Sequence, residues 1–152
     1  MKDTSADTAA KKRILASVVD KLKKKYGENV LLDPSVITNY DVISSGSMLF
    51  DKDSGIGGIA RGKVVEVYGD EASGKTTLAS CLCANAQERY PDDMVLFVDI
   101  EHALDLDYMR SFGVNTDPEK FILAQPSSIE EALTIMEDMC ESGLFSLIVL
   151  DS

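Results

Sequence analysis

The run Gly69-Asp70-Glu71-Ala72-Ser73-Gly74-Lys75-Thr76 reads G-x-x-x-x-G-K-T. Before it stands Lys63-Val64-Val65-Glu66-Val67-Tyr68, the composition of a strand, and after it comes a helical pattern over residues 76–89. Strand, glycine loop and helix in this order make a phosphate-binding loop. The two glycines let the backbone curl so that successive N–H groups face an anion, and the helix N-terminus adds partial positive charge. Lys75 reaches the β and γ phosphates, and Thr76 offers its hydroxyl to Mg²⁺, which takes hard oxygen ligands. A chance glycine turn carrying a surface lysine is the plainer alternative, and the flanking strand and helix argue against it. The chain is expected to bind a nucleoside triphosphate.

Outward from this loop the pattern alternates. Residues 94–99 are a predicted strand, residues 104–112 a short helix, 121–124 a strand, 128–142 a helix and 146–151 a strand. Repetition of this kind predicts an α/β fold with a mostly parallel sheet covered by helices. On the last helix Ile129, Ala132, Leu133, Met136, Met139 and Cys140 recur at helical spacing as its core face, and Ser127 with Glu130 or Ser128 with Glu131 offers a capping box. On the N-terminal side a helix is predicted over residues 9–26. Ile14, Leu15, Val18, Val19 and Leu22 lie on one face and Gly27 is its stop. The glycines of Gly55-Ile56-Gly57-Gly58 precede a strand, not a helix, so they are a turn and not a dinucleotide fingerprint.

Composition bounds the function. The chain has 152 residues, 45% of them hydrophobic, enough for one domain with a real core. No apolar run reaches the length of a membrane span and residues 1–7 lack the apolar stretch of a secretory signal, so a cytoplasmic place is expected. Net charge is −11, yet Lys11, Lys12, Arg13, Lys21, Lys23, Lys24 and Lys25 crowd one segment in which Asp20 is the sole acid. That balance argues against bulk attraction to nucleic acid. The lysines read either as a solvated face above a docking stripe or as a DNA-binding helix. The three cysteines are expected to be reduced, because Cys81 and Cys83 diverge on a helix.

In parallel sheets ligands sit beyond the carboxyl ends of the strands. Asp151 ends the apolar strand Leu147-Ile148-Val149-Leu150, the pattern of a Walker B aspartate that supports Mg²⁺. Asp99 and Glu101 stand at the end of Val95-Leu96-Phe97-Val98, and Glu101 is a candidate for orienting the water that attacks the γ-phosphate. A strand-end acid also serves simply as a helix cap. His102, the only histidine, reads as a structural hydrogen-bonding group.

Taken together these residues resemble one family. The P-loop run continuing through Thr77 and Leu78, then Phe97-Val98-Asp99-Ile100-Glu101-His102-Ala103-Leu104-Asp105 with Tyr108, then Leu147-Ile148-Val149-Leu150-Asp151-Ser152, look like the bacterial and phage RecA recombinases. The likeness extends upstream through Ile43-Ser44-Ser45-Gly46-Ser47-Met48-Leu49-Phe50-Asp51, Gly57-Gly58 and Arg61-Gly62. It implies a RecA-type P-loop NTPase core, preceded by a docking helix that packs on a neighbouring protomer. The division would fall into an arm of helix and strand over residues 1–33 and a core over residues 34–152.

The resemblance also implies roles. Gly69, Asp70, Glu71, Ala72, Ser73, Gly74, Lys75, Thr76 and Thr77 would hold ATP, and Asp105 and Tyr108 the adenine. Thr76 and Asp151 would serve Mg²⁺, with Glu101 and Lys75 catalytic. Family members form helical filaments on single-stranded DNA, hydrolyse ATP, exchange strands in recombination and repair, and stimulate a self-cleaving repressor in the damage (SOS) response. Asp70 and Leu106-Asp107 depart from the family by standing where prolines are usual, which adds negative charge near a polyanion.

The family's DNA-binding loops, the C-terminal part of its fold and the strand between the Walker A and Walker B strands follow the position of Ser152, so a partial chain with unpaired strand edges is expected. Two alternatives stay open: another RecA-fold ATPase such as a helicase, and a short RecA-like interaction module that caps a filament.

Overall fold

The computed structural model describes residues 4–31 and 40–152. These fall into two compact units, residues 4–31 and 40–152. The boundary expected between residues 33 and 34 lies outside the described residues.

The first unit is a long helix, α1 (Thr4–Tyr26), which begins five residues earlier than the predicted start at residue 9. It stops at Gly27, whose φ of 98° is open to glycine and whose N–H closes on the Lys23 carbonyl at 2.8 Å. Lys23, Lys24 and Lys25 in the last turn complement the helix dipole, and Lys23 pairs with Glu28 at 3.1 Å. Residues 28–30 then make a 3₁₀ turn, where the expected arm had a strand.

In the second unit β1 (Val42–Ile43) and β2 (Ile59–Ala60) form an antiparallel pair, with α2 (Met48–Asp53) and a turn between them. A Cβ on Gly58 would lie 2.1 Å from the Ile43 carbonyl oxygen, so the pair closes only around a glycine. Asp51 fixes the loop between β1 and α2, accepting from Ser44 Oγ at 2.6 Å, Ser45 Oγ at 2.6 Å and Ser45 N–H at 2.9 Å. These bonds hold its carboxyl below the usual range against the opposing effect of burial.

The main sheet is parallel, in the order β4 (Phe121–Ala124), β3 (Met94–Asp99), β5 (Phe145–Asp151). Helices α3 (Lys75–Arg89), α4 (Leu106–Ser111) and α5 (Ile129–Ser142) connect or cover the strands. Alternation along β3 divides the core: Val95 and Phe97 pack with Leu82, Cys83 and Ala86 of α3 and with Met109 of α4, whereas Leu96 and Val98 pack with Ala132 of α5. The Cys83 thiol is pushed up to about 12 by burial, which keeps it a packed thiol.

Two expectations are corrected here. Residues 63–68 are not a strand: they run without ladder pairing, with Val64 and Tyr68 fully or largely exposed. Their β-favouring residues find no neighbouring strand among the described residues, and β propensity without a partner does not make a ladder. The face of α5 is also turned by one position. Ala132, Ile135, Met136 and Met139 meet the sheet, while Ile129, Leu133 and Cys140 are exposed. Of the two capping boxes the helix uses Ser128, which accepts from Glu131 N–H, while Glu131 reaches back to Ser127 N–H at 2.8 Å.

Candidate nucleotide site

Helix α3 starts directly out of the glycine loop. Gly74 is its N-cap with φ 92°, no side chain caps its first turn, and that turn carries no acid. The first N–H to bond back is that of Leu78, to the Gly74 carbonyl at 2.9 Å. The N–H groups of Lys75, Thr76 and Thr77 thus have no carbonyl in a preceding turn and stand at the positive end of a 15-residue helix. That end suits an anion.

The loop is shaped by its own backbone. Ala72 takes φ 59°, and a Cβ on Gly69 would come within 2.9 Å of Ser73 Oγ. Lys75 Nζ folds back to the carbonyls of Gly69 at 3.0 Å and Asp70 at 2.9 Å. An ammonium has three donors. Two of them hold the loop curled.

Thr76 and Thr77 point to different neighbours. Thr76 Oγ1 donates to Asp151 Oδ2 at 2.9 Å, which joins the loop to the carboxyl end of β5. Thr77 Oγ1 and Tyr108 Oη lie 2.9 Å apart, which joins it to α4. Tyr108 packs edge-on against Phe112, with ring centroids 4.8 Å apart, and leaves much of its ring exposed. Asp105 caps α4, accepting from Asp107 and Tyr108 N–H at 2.9 and 3.1 Å. Asp107, one of the charges added beside the loop, is paired with Arg110.

Asp99 and Asp151 face each other in register across β3 and β5. Asp99 is buried, and burial raises its pKa. Hydrogen bonds from Gln125 and from the backbone of Leu104, Ala103 and His102 outweigh that and hold it below the ordinary range. Glu101, two residues beyond β3, is exposed and has no hydrogen-bonding partner among the described residues. His102 Nε2 lies 3.3 Å from the Pro126 carbonyl.

The structure therefore brings Lys75, Thr76, Thr77, Tyr108 and Asp151 together, and sets Asp105 to capping a helix. It adds Gln125, which the sequence reading passed over. Its one signal was position, a polar residue directly after a strand of a parallel sheet. A hydroxyl beside a carboxylate is a hard-oxygen donor pair of the kind Mg²⁺ takes alongside phosphate oxygens. Among the described residues no cluster of three acids, cysteines or histidines forms a metal cage, and no helix there is long and apolar enough to cross a membrane.

The family model for the RecA N-terminal domain matches residues 13–152. Among curated proteins, Protein RecA of Mesoplasma florum is 44% identical over 93% of this chain and 42% of its own length. Protein RecA of Deinococcus radiodurans is 40% identical over 99% of the chain and 42% of its own. Protein RecA of Chlorobium limicola is 42% identical over 94% and 41%. The chain thus spans about two fifths of the length of the relatives it matches.

Proposed function

The chain belongs to the RecA family, whose N-terminal domain it carries, and on that footing we propose that it binds Mg²⁺-ATP in the loop of residues 69–77 and serves a DNA-dependent recombinase. The observation that carries this reading is the bond from Thr76 to Asp151. It sets the phosphate loop and an acidic strand end side by side, which is where a triphosphate and its cation need a hydroxyl and a carboxylate.

Each residue then has a task. The free N–H groups at the start of α3 and the Lys75 ammonium bind the phosphates. Thr76 and Asp151 would hold Mg²⁺, which when bound offsets the charge of the triphosphate. Thr77 and Tyr108 line the side towards α4, where the tyrosine ring offers a flat face to the adenine at little entropic cost and Asp105 orients that helix. Glu101 carries a carboxylate just past β3 that is unengaged among the described residues. Its task is to orient water and take its proton as the water attacks the γ-phosphate.

In the assembled protein we place the chain in a filament on single-stranded DNA, with α1 as the docking arm. Residues 1–33 are read as that arm and 34–152 as the ATPase core. ATP-driven strand exchange, support of repressor self-cleavage in the SOS response and a cytoplasmic location belong to the same reading. What supports it is family membership together with a stripe of exposed Ile14, Leu15 and Val18 on α1.

The test is Glu101→Gln, assayed for ATP affinity and for hydrolysis on single-stranded DNA. Affinity is expected to hold while turnover falls roughly a hundredfold or more. A fall in affinity with unchanged turnover per bound ATP would make Glu101 a structural residue.

A further inference from the structure

The five residues after β3 are wound around one buried anion. Asp99, 2% exposed, accepts from Leu104 N–H at 3.1 Å and from Ala103 N–H at 3.4 Å. A side-chain donor comes from just past the neighbouring strand: Gln125 Nε2, directly after β4, reaches Asp99 Oδ2 at 3.0 Å. The ladder leads to this meeting, because Val98 pairs with Ala124 and the next residue of each strand is Asp99 or Gln125. Among the described residues no other side chain hydrogen-bonds the Asp99 carboxylate.

The turn so formed is a forced one. His102 sits at φ 55°, a conformation uncommon for a residue with a side chain. Such backbone persists where the surroundings over-determine it. Here they are the Asp99 carboxylate inside the turn and the contact from His102 Nε2 to the Pro126 carbonyl outside it. Glu101 lies within this turn and has no hydrogen bond among the described residues to fix its side chain. The backbone from which its carboxylate extends is therefore the one that Asp99 and Gln125 hold.

We propose that Gln125 is a positioning residue for Glu101: through the buried Asp99 carboxylate it ties the 100–104 turn to the end of β4, and so sets where the Glu101 carboxylate meets water. The inference rests on the reading of Glu101 given above. A neutral amide suits the task, since it donates a charge-assisted bond without cancelling the charge that the turn's backbone N–H groups need. The chemistry is sensitive to such support, because a misplacement of about 1 Å costs about a hundredfold in rate.

The experiment is a double-mutant cycle on the protein bound to single-stranded DNA, with kcat and KM for ATP measured for the parent, Gln125→Ala, Glu101→Gln and the double variant. Gln125→Ala is expected to lower kcat roughly tenfold to a hundredfold with little change in KM. On the Glu101→Gln background it is expected to change kcat by less than about twofold, because coupled residues are not additive. Amide exchange at Ala103 and Leu104, read without nucleotide, should quicken in the same variant. Gln125→Glu keeps the side chain's length but sets a like charge against Asp99, and it repeats the loss if Gln125→Ala folds poorly. An undiminished loss in both backgrounds, or a rise in KM with kcat intact, overturns the proposal and leaves Gln125 a support of the fold. A Glu101→Gln variant with unaltered kcat instead sinks the reading of Glu101 itself, and the proposal with it.

Discussion

Thr76 Oγ1 donates to Asp151 Oδ2 at 2.9 Å, a bond between residues 75 apart in the chain. It fixes the first turn of α3 against the carboxyl end of β5, so that the phosphate loop and the strand-end acid act as one site. Two substitutions separate its structural from its ligand-binding share. Asp151→Asn keeps an acceptor for Thr76 but removes the charge, and it should melt near the parent while needing roughly tenfold more Mg²⁺ for ATP binding. Thr76→Ala loses the bond as well and should cost about 1 kcal/mol of stability. A Mg²⁺ titration unchanged in both would assign the pair to the fold alone.

Asp99 gives a pH dependence with a definite sign. Its folded carboxyl titrates below the unfolded one, so its contribution is complete above the unfolded value of about 4 and is lost as pH falls through the folded value. Asp99→Asn should remove that part of the acid sensitivity, and Asp99→Ala should cost on the order of 3 kcal/mol near neutral pH by stranding its donors. Urea melts of parent and Asp99→Asn between pH 3 and pH 7 on this scale check it: the gap between the two curves should narrow as pH falls. A gap that is constant with pH would contradict the assignment.

Residues 63–68 have no ladder, whereas β5 pairs with β3 along its length. Amides of Val64, Val65 and Val67 should exchange with little protection, and those of Ile148 and Val149 should be strongly protected. Equal protection in both segments would show that 63–68 is paired in solution.

The exposed stripe on α1 should matter for assembly and not for nucleotide. Ile14→Ser combined with Val18→Ser, read by light scattering with ATP and single-stranded DNA, is expected to abolish growth while ATP affinity stays within about twofold. Growth at the parental rate would remove α1 from the docking surface.

Much of this was legible in the sequence because it is local. The apolar run from Met94 and the run before Ala124 gave β3 and β4 to the residue, and Ser128 with Glu131 announced the start of α5. What escaped is set by neighbours in space. Val64 and Val67 look like strand residues, and only a facing strand could make them so. Leu133 and Ile135 differ by two positions on one helix, and packing against β3 and β5 decided which is buried. Of the site, Lys75, Thr76 and Asp151 carry motifs. Gln125 carries none, and its meeting with Asp99 depends on the parallel register of β3 with β4.

A nucleoside triphosphate is expected in the loop around Lys75, and equilibrium binding of a fluorescent ATP analogue with Mg²⁺ measures its affinity there. Lys75 holds the loop through the carbonyls of Gly69 and Asp70, and an ammonium has three donors. The parent is expected to bind and Lys75→Ala to lose roughly a hundredfold in affinity, the equivalent of about 2.7 kcal/mol. Equal affinity in parent and variant would mean that this loop is not the nucleotide site.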